Sequence, residues 1–513
     1  MILRTMRADV RRNTLDAPVA FVASVLLLFT YLVVGREPLV ADEYDVLPFA
    51  LQYVRPGWLP NDWYLNLPVD YRSLFNLIFG SIAAVTSIAT AAVVGRTVIA
   101  LLFADAVIRL FRRIGVAPYL ALPFVGAWTI SPSLGAEEWM LRGVEAKVFA
   151  YVAIVYGLGF LVERQYRAVA LCLGAALSFH ILVGAYAAVA TVLAVLFCRR
   201  EDVKSMLRSS LWGGVTGIVG LYAGVSSLVS TWTLSPETLH RGSLLYVTFR
   251  VPHHAMPSVP LNQIPVIVAC VVFLAFLARN KDARLRLLGA YGLATLVFAC
   301  VGGLLVALEQ YDLLKFYWFR FPDTMIPFLT ELGICAMLNS IMMGTAGPAL
   351  VQVVRRVALV ALVLITLIPV AGASRRLVRP HVERPQQAAL SWIRAATRPS
   401  DRILLAADLP EFYVEAERAR VVGFVHSPQD ESNVIEWHER LLALSGGKPV
   451  KEVGFAAVPE LVTAFQSLSD QELINLARRY RAQYCLVHAD QNRDLPVVYR
   501  DQFYEVLRMT DAL

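Results

Sequence analysis

Charge is what this sequence has least of. Only 17% of its 513 residues are Asp, Glu, Lys or Arg, against 57% hydrophobic residues, and the mean hydropathy is +0.57. Soluble domains carry about 25% charged residues, so the composition points to a polytopic membrane protein. The six cysteines, Cys172, Cys198, Cys270, Cys300, Cys335 and Cys485, form no C-x-x-C pair, and five lie in or at apolar runs. That leaves neither a disulfide framework nor a zinc site. No G-x-G-x-x-G and no G-x-x-x-x-G-K-[ST] occurs, so a nucleotide-driven reaction has no visible phosphate cradle. The net charge of +7 and pI near 9.1 come from short Lys/Arg clusters between apolar runs. Such clusters set membrane topology, so the charge is not read as nucleic-acid binding.

What is present is a succession of apolar runs. Arg4, Arg7, Arg11 and Arg12 precede the first, at about 17–34, which predicts a span with a cytoplasmic N-terminus. The stretch 74–110 exceeds the roughly 20 residues that one span needs, and it reads as a surface helix to about 92 and a second span from about 93. Further clusters at Arg109, Arg112 and Arg113, at Arg164 and Arg167, at Arg199, Arg200, Lys204 and Arg208, at Arg279, Lys281, Arg284 and Arg286, and at Arg355 and Arg356 read as cytoplasmic turns. Short apolar pieces at 116–130, 148–162, 168–179 and 181–198 and longer ones at 210–230, 262–278, 287–308, 322–344 and 357–374 bring the total to about eleven spans. The expected fold is a polytopic α-helical membrane domain, residues 1–374, followed by a small soluble α/β domain, residues 375–513. In the latter 401–409 and 482–490 look like strands, three segments have helical periodicity, and Ser469 with Glu472 reads as a capping box. The odd count places that domain outside, although Arg375, Arg376 and Arg379 argue against this side.

The outer loops hold the unusual residues. Residues 35–76 carry Asp42, Glu43, Asp45, Asp62 and Asp70 among Trp58, Trp63, Tyr64 and Tyr71, an acidic and aromatic ledge at the membrane surface. Two adjacent carboxylates there can share a metal ion, or one can act as a general base; a solvated loop is the alternative. Residues 131–151 bring Glu137, Glu138, Arg142, Glu145 and Lys147 next to a span, either as site residues or as an i,i+4 salt-bridged helix face. His240, Arg241, Arg250, His253 and His254 follow in a third loop. His180 reads as a satisfied bundle histidine. In 309–324, Lys315 and Arg320 sit among Phe316, Tyr317, Trp318, Phe319 and Phe321, as snorkelling cations or as phosphate ligands.

The Asp42-Glu43 pair in the first outer loop, Glu137-Glu138 in the second, the short paired helices, the late arginine of YWFRFPD and the soluble tail together resemble the GT-C superfamily of integral-membrane glycosyltransferases. The tail lacks the WWDYG-like motif of oligosaccharyltransferases, which speaks against protein N-glycosylation. The resemblance implies an inverting transfer from a polyprenyl-phosphate sugar donor at the outer face of a bacterial inner membrane, to a glycan, lipid or protein acceptor. It implies Asp42 as base, helped by Glu43. Arg320, with Lys147 or Arg142, would neutralise the departing phosphate. His253 and His254 would contact phosphate or acceptor, and Glu137 and Glu138 would hold a divalent ion, Mg or Mn. A transporter or lipid flippase, or a non-catalytic envelope assembly protein, stays open beside it.

Overall fold

Helices of membrane length form where the apolar runs are uninterrupted. The computed structural model describes residues 2–509 apart from 41, 69–70, 131–132, 344–359, 362, 369, 373–374, 376–383 and 492. The N-terminal portion comprises α1 (Ile2–Phe29), α2 (Glu43–Val54), α3 (Ser73–Val85), α4 (Ile88–Ile114), α5 (Ala121–Ile130), α6 (Ala146–Val162), α7 (Tyr166–Phe179) and α8 (Ile181–Cys198). It continues with α9 (Val203–Trp232), α10 (Pro236–Leu244), α11 (Ile264–Leu277), α12 (Ala283–Ala307) and α13 (Arg320–Met343). Among the described residues, six helices are long and apolar enough to cross a membrane: Asp16–Val34 at the end of α1, then α4, α8, α12 and α13, and Arg200–Trp232, which contains α9. The shorter α3, α6, α7, α11 and Val363–Gly372 are also apolar. The expected span at 357–374 is described only in part, and Val363–Gly372 falls within it.

Two boundaries differ from expectation. The break in 74–110 falls at Thr86–Ser87, not at 92–93, because the Ser87 side chain accepts the Thr90 N–H at 3.0 Å and caps α4. Arg96 is therefore inside a helix of 27 residues rather than near its start. Lys204 and Arg208 likewise open α9 instead of forming a turn. α9 lies against α7 through glycine: a Cβ at Gly174 would fall on Gly213 and Thr216, so only a residue without one allows the backbones this close.

The basic clusters gather at one end of the bundle. Arg113 meets Glu163 at 3.1 Å, Arg164 meets Asp202 at 3.2 Å, and Arg199 donates to the Leu161 carbonyl at 2.8 Å. Arg284 donates to the carbonyl of Arg113 at 3.1 Å. The acidic loops meet at the other end, beneath the C-terminal domain.

That domain holds α14 (Gln387–Ala396), β1 (Arg402–Leu404), β2 (Ala419–Arg420), α15 (Glu431–Leu444), α16 (Ala457–Gln466), α17 (Asp470–Tyr480), β3 (Tyr484–His488), β4 (Val497–Arg500) and β5 (Tyr504–Arg508). Its sheet has the order β2-β1-β3-β5-β4, with β1 parallel to β2 and β3, and β5 antiparallel to β3 and β4. Both expected strands form, and the Ser469–Glu472 capping box opens α17; the β4–β5 hairpin was not expected. Polar contacts dock the domain on the ledge. Asp62 accepts the Arg420 N–H at 3.0 Å and the Tyr413 hydroxyl at 3.1 Å. Arg384 reaches Glu37 at 3.0 Å and the Tyr44 hydroxyl at 3.2 Å. Lys315 pairs with Glu431 of α15, so it serves this interface.

Candidate active site

The site starts at the first turn of α2. Successive residues on a helix diverge by about 100°, so Asp42, the N-cap residue, and Glu43, the first helical residue, point to different places. Glu43 turns into the bundle. Its carboxylate accepts from Arg96 Nε at 2.8 Å, from the Val144 N–H at 2.7 Å and from the Val40 N–H at 3.0 Å. Both partners of this ion pair are 1% exposed. Arg96 also donates to the carbonyls of Glu37 and Pro38, at 3.0 and 3.3 Å. The expected role of Glu43 as helper of Asp42 is thereby corrected: its lone pairs are spent on tying both acidic loops to α4.

Asp42 instead lies against Glu145, at the end of the second loop, and each carboxyl shifts the ionisation of the other. That loop is not helical between Ser133 and Glu145, so the salt-bridged helix face read from spacing does not form. It follows an irregular course in which Glu137, with φ of 52°, is exposed while Glu138 is buried. Asp323, on the first turn of α13, accepts the N–H groups of Ala136 at 3.3 Å and Glu138 at 3.1 Å and fastens the loop. Glu138 then lies between two cations, pairing with Arg320 and with Lys147, the latter at 3.1 Å. Lys147 also reaches Glu145 at 3.4 Å and sits 4.0 Å above the Trp139 ring. Arg320 lies over Tyr317 at 4.7 Å. The result is a connected row of ionisable groups: the carboxyls of Asp42 and Glu145, then Lys147, Glu138 and Arg320.

Electrostatics separate the two carboxyls of the Asp42–Glu145 pair. Burial pushes Asp42 up, but the hydrogen bond from Glu145 and the charges of Lys147, Arg250 and Arg320 outweigh it and hold its carboxyl below the ordinary range. Burial pushes Glu145 well above the ordinary range; Lys147 offsets part of this and the nearby Asp42 and Glu138 add to it. The two carboxyls are thus pushed apart, Asp42 toward the ionised form and Glu145 toward the protonated one.

The histidines play another part than charge. Burial lowers His253, aided by Arg250 and Arg320, and lowers His254 much further. Both are neutral near pH 7, with rings 4.1 Å apart. His254 Nδ1 faces the Ala136 carbonyl at 2.6 Å; since a carbonyl only accepts, Nδ1 carries the proton and Nε2 presents a lone pair. His254 is therefore not a phosphate donor, and it serves to brace the second loop. His180 caps α8, accepting the Val183 N–H at 3.4 Å.

Arg142 and Glu137 face a neighbouring cavity of about 340 Å³, which Glu138 and Trp139 also line, together with Tyr31, Trp128 and Pro327. Arg142 is thus beside the Lys147–Arg320 cluster rather than in it. A divalent ion does not fit Glu137 and Glu138: one is exposed, the other is already held by two cations, and no group of three His, Cys, Asp or Glu suited to a metal occurs among the described residues. Sequence reasoning missed the pairing of Asp42 with Glu145, the anchoring role of Asp323 and the partner of Arg96. It singled out Arg250 without giving it a role.

Among solved structures, the chain resembles ArnT from Cupriavidus metallidurans bound to undecaprenyl phosphate, over 96% of this chain and 98% of that one, with a TM-score of 0.52 at 13% identity. It resembles the archaeal oligosaccharyltransferase AglB from Archaeoglobus fulgidus, in complex with an inhibitory peptide and a dolichol-phosphate, over 92% of this chain and 69% of that one, with a TM-score of 0.51 at 10% identity. A family described as a domain of unknown function (DUF6798) matches residues 384–444. No curated protein sequence matches the chain.

Proposed function

We propose, from the GT-C glycosyltransferase fold that the chain shares with these structures, that it moves a sugar from a polyprenyl-phosphate-linked donor to an acceptor hydroxyl at the extracytoplasmic face of a bacterial inner membrane. The observation that carries this reading is the Asp42–Glu145 pair standing beside Lys147, Glu138 and Arg320 at the end of the bundle away from the basic clusters. On that reading the basic end is cytoplasmic. The acceptor is a glycan, a lipid or a protein.

The chemistry follows from the charges. Ionised Asp42 takes the proton of the acceptor hydroxyl as its oxygen bonds to the anomeric carbon. The bond from that carbon to the phosphate oxygen breaks on the opposite face, so configuration inverts. Polyprenyl phosphate leaves with the extra negative charge, which Arg320 and Lys147 stabilise in a site they already occupy. Glu145, by donating its proton to Asp42, aims the remaining lone pair of that carboxylate.

Two outcomes are expected. Arg320→Ala should lower kcat/KM with synthetic polyprenyl-phosphate sugars by about 10²–10³-fold, the usual loss for one preorganised charge-stabilising group. Undiminished turnover in that variant would sink the assignment of the phosphate site. The second concerns pH. Glu145 ionises above the ordinary carboxyl range, so raising the pH through that ionisation takes the pair from one negative charge to two. Donor KM should rise along this limb, because the added charge repels phosphate, and Glu145→Gln should flatten it. A limb that persists in Glu145→Gln would assign it to another group.

A further inference from the structure

Arg250 is held in place from outside the membrane domain. It ends a π-helical turn, Leu245–Arg250, in the third outer loop, and it is 8% exposed. Its Nε donates to Ser427 Oγ at 3.0 Å and its Nη2 to the Val425 carbonyl at 3.2 Å. The guanidinium lies over the rings of Phe424 and Phe455, at 5.1 and 5.3 Å. Each of these four partners belongs to the C-terminal domain. Its remaining N–H groups are left for another acceptor, and its charge is one of those that act on Asp42.

The same short segment grips the other side of the site. His426, next to Val425, is buried and directs Nε2 at the Tyr44 carbonyl, 3.3 Å away; that carbonyl belongs to the first turn of α2, two residues after Asp42. The His426 ring packs between Tyr413 and Tyr64, with centroids at 4.6 and 5.7 Å. Tyr64 in turn donates to Asp45 at 2.7 Å. A Cβ on Gly423 would stand 2.7 Å from His426 Nδ1, so the entry to the segment is fixed as well. Residues 424–427 thus form a strap that fastens both α2, through His426, and Arg250, through Phe424, Val425 and Ser427.

We infer that this strap makes the C-terminal domain part of the active site: Ser427 and the Val425 carbonyl orient Arg250 as a third cation for the phosphate oxygens of the lipid-linked donor. The inference rests on the glycosyltransferase reading and gives the segment matched as a domain of unknown function a task. Ser427 is a positioning residue, since it acts through Arg250. Such a residue acts on orientation, so its loss is felt in donor binding and in the field at Asp42, and the thermal stability of the chain moves little.

The test uses the full chain in lipid, comparing wild type with Ser427→Ala and Ser427→Thr, and reads donor kinetics, binding of polyprenyl phosphate alone, and melting temperature. Ser427→Ala should raise the donor KM and weaken polyprenyl-phosphate binding by about tenfold, the scale of one hydrogen bond to a charged group, with a smaller change in kcat. It should also move the acid limb of kcat/KM upward. Asp42 is faced by Glu145, Lys147 and Arg320, by Asp45 from its own helix, and by Arg250 and His253 from the third loop; withdrawing one positive charge from that set raises the pH at which Asp42 ionises. Ser427→Thr, which keeps the hydroxyl, should restore both readouts. If wild type turns over and binds the phosphate lipid while Ser427→Ala shows unchanged KM, binding and acid limb, the strap has no such role. If wild type neither binds polyprenyl phosphate nor turns over any such donor, the glycosyltransferase reading itself fails, and the inference falls with it.

Discussion

Asp42→Asn is expected to lower sugar transfer by about 10²–10⁴-fold, the usual worth of a positioned general base, while leaving the chain folded. Asparagine has nearly the same shape and cannot take a proton. The Asp42 side chain makes no capping hydrogen bond to α2, so the helix loses nothing at its N-terminus. Its interaction with Glu145 survives in part, because the amide oxygen of asparagine still accepts the Glu145 proton. The measurement is single-turnover transfer from a polyprenyl-phosphate sugar by purified protein in lipid, alongside the melting temperature. A large loss of the chemical step at unchanged melting temperature establishes Asp42 as the base. Full turnover in the variant would move the base elsewhere, with Glu145 the next carboxyl in line. The loss should appear in kcat rather than in donor KM, because Asp42 is negatively charged and does not attract the phosphate.

The layout was legible because hydropathy and basic clusters are one-dimensional signals. Ser87 was legible in principle too, as a capping residue between two apolar runs, yet the break is expected at 92–93, where the residues left before Arg109, Arg112 and Arg113 are about one span long. Arg96 is compatible with the interior of α4 only because Glu43 is there to meet it, 53 positions away in sequence, and no local pattern carries such a partner. The same limit governs the acidic pairs. Asp42 and Glu43 look equivalent as letters, as do Glu137 and Glu138, but neighbouring residues on a helical turn or in an irregular loop face different surroundings. In each pair one carboxylate is buried in an ion pair, and the two are not interchangeable. Glu145 looked like one more charge on a helix face. It became the partner of Asp42 because α6 begins only at Ala146, which leaves Glu145 on an extended backbone that turns toward the first loop. In the C-terminal domain the strands with continuous apolar runs were readable. The β4–β5 hairpin was not, since β4 is half exposed and its turn relies on Asp501 accepting the N–H groups of Phe503 and Tyr504 at 2.7 and 2.8 Å.

Arg96→Met should destabilise the protein by about 3–5 kcal/mol, because removing one partner of a buried ion pair strands the other. Without the guanidinium, Glu43 keeps only the N–H groups of Val40 and Val144. Two backbone carbonyls, of Glu37 and Pro38, lose their donor as well. The apparent melting temperature in detergent should fall sharply. A melting temperature within a degree or so of wild type would show that the pair contributes little. The double variant Arg96→Met with Glu43→Leu separates stability from placement. Replacing both charges with apolar groups of similar size removes the stranded charge, so the melting temperature should recover in part, the carbonyls of Glu37 and Pro38 and the N–H groups of Val40 and Val144 still lacking their partners. Activity should not, because the first loop would lose the carboxylate that fixes Val40 and Val144, and Asp42 is the residue immediately before it. Recovery of both would mean that packing alone aims Asp42. Recovery of stability without activity would place the function of the buried pair in geometry: it holds two loops in register so that Asp42 and Glu145 meet.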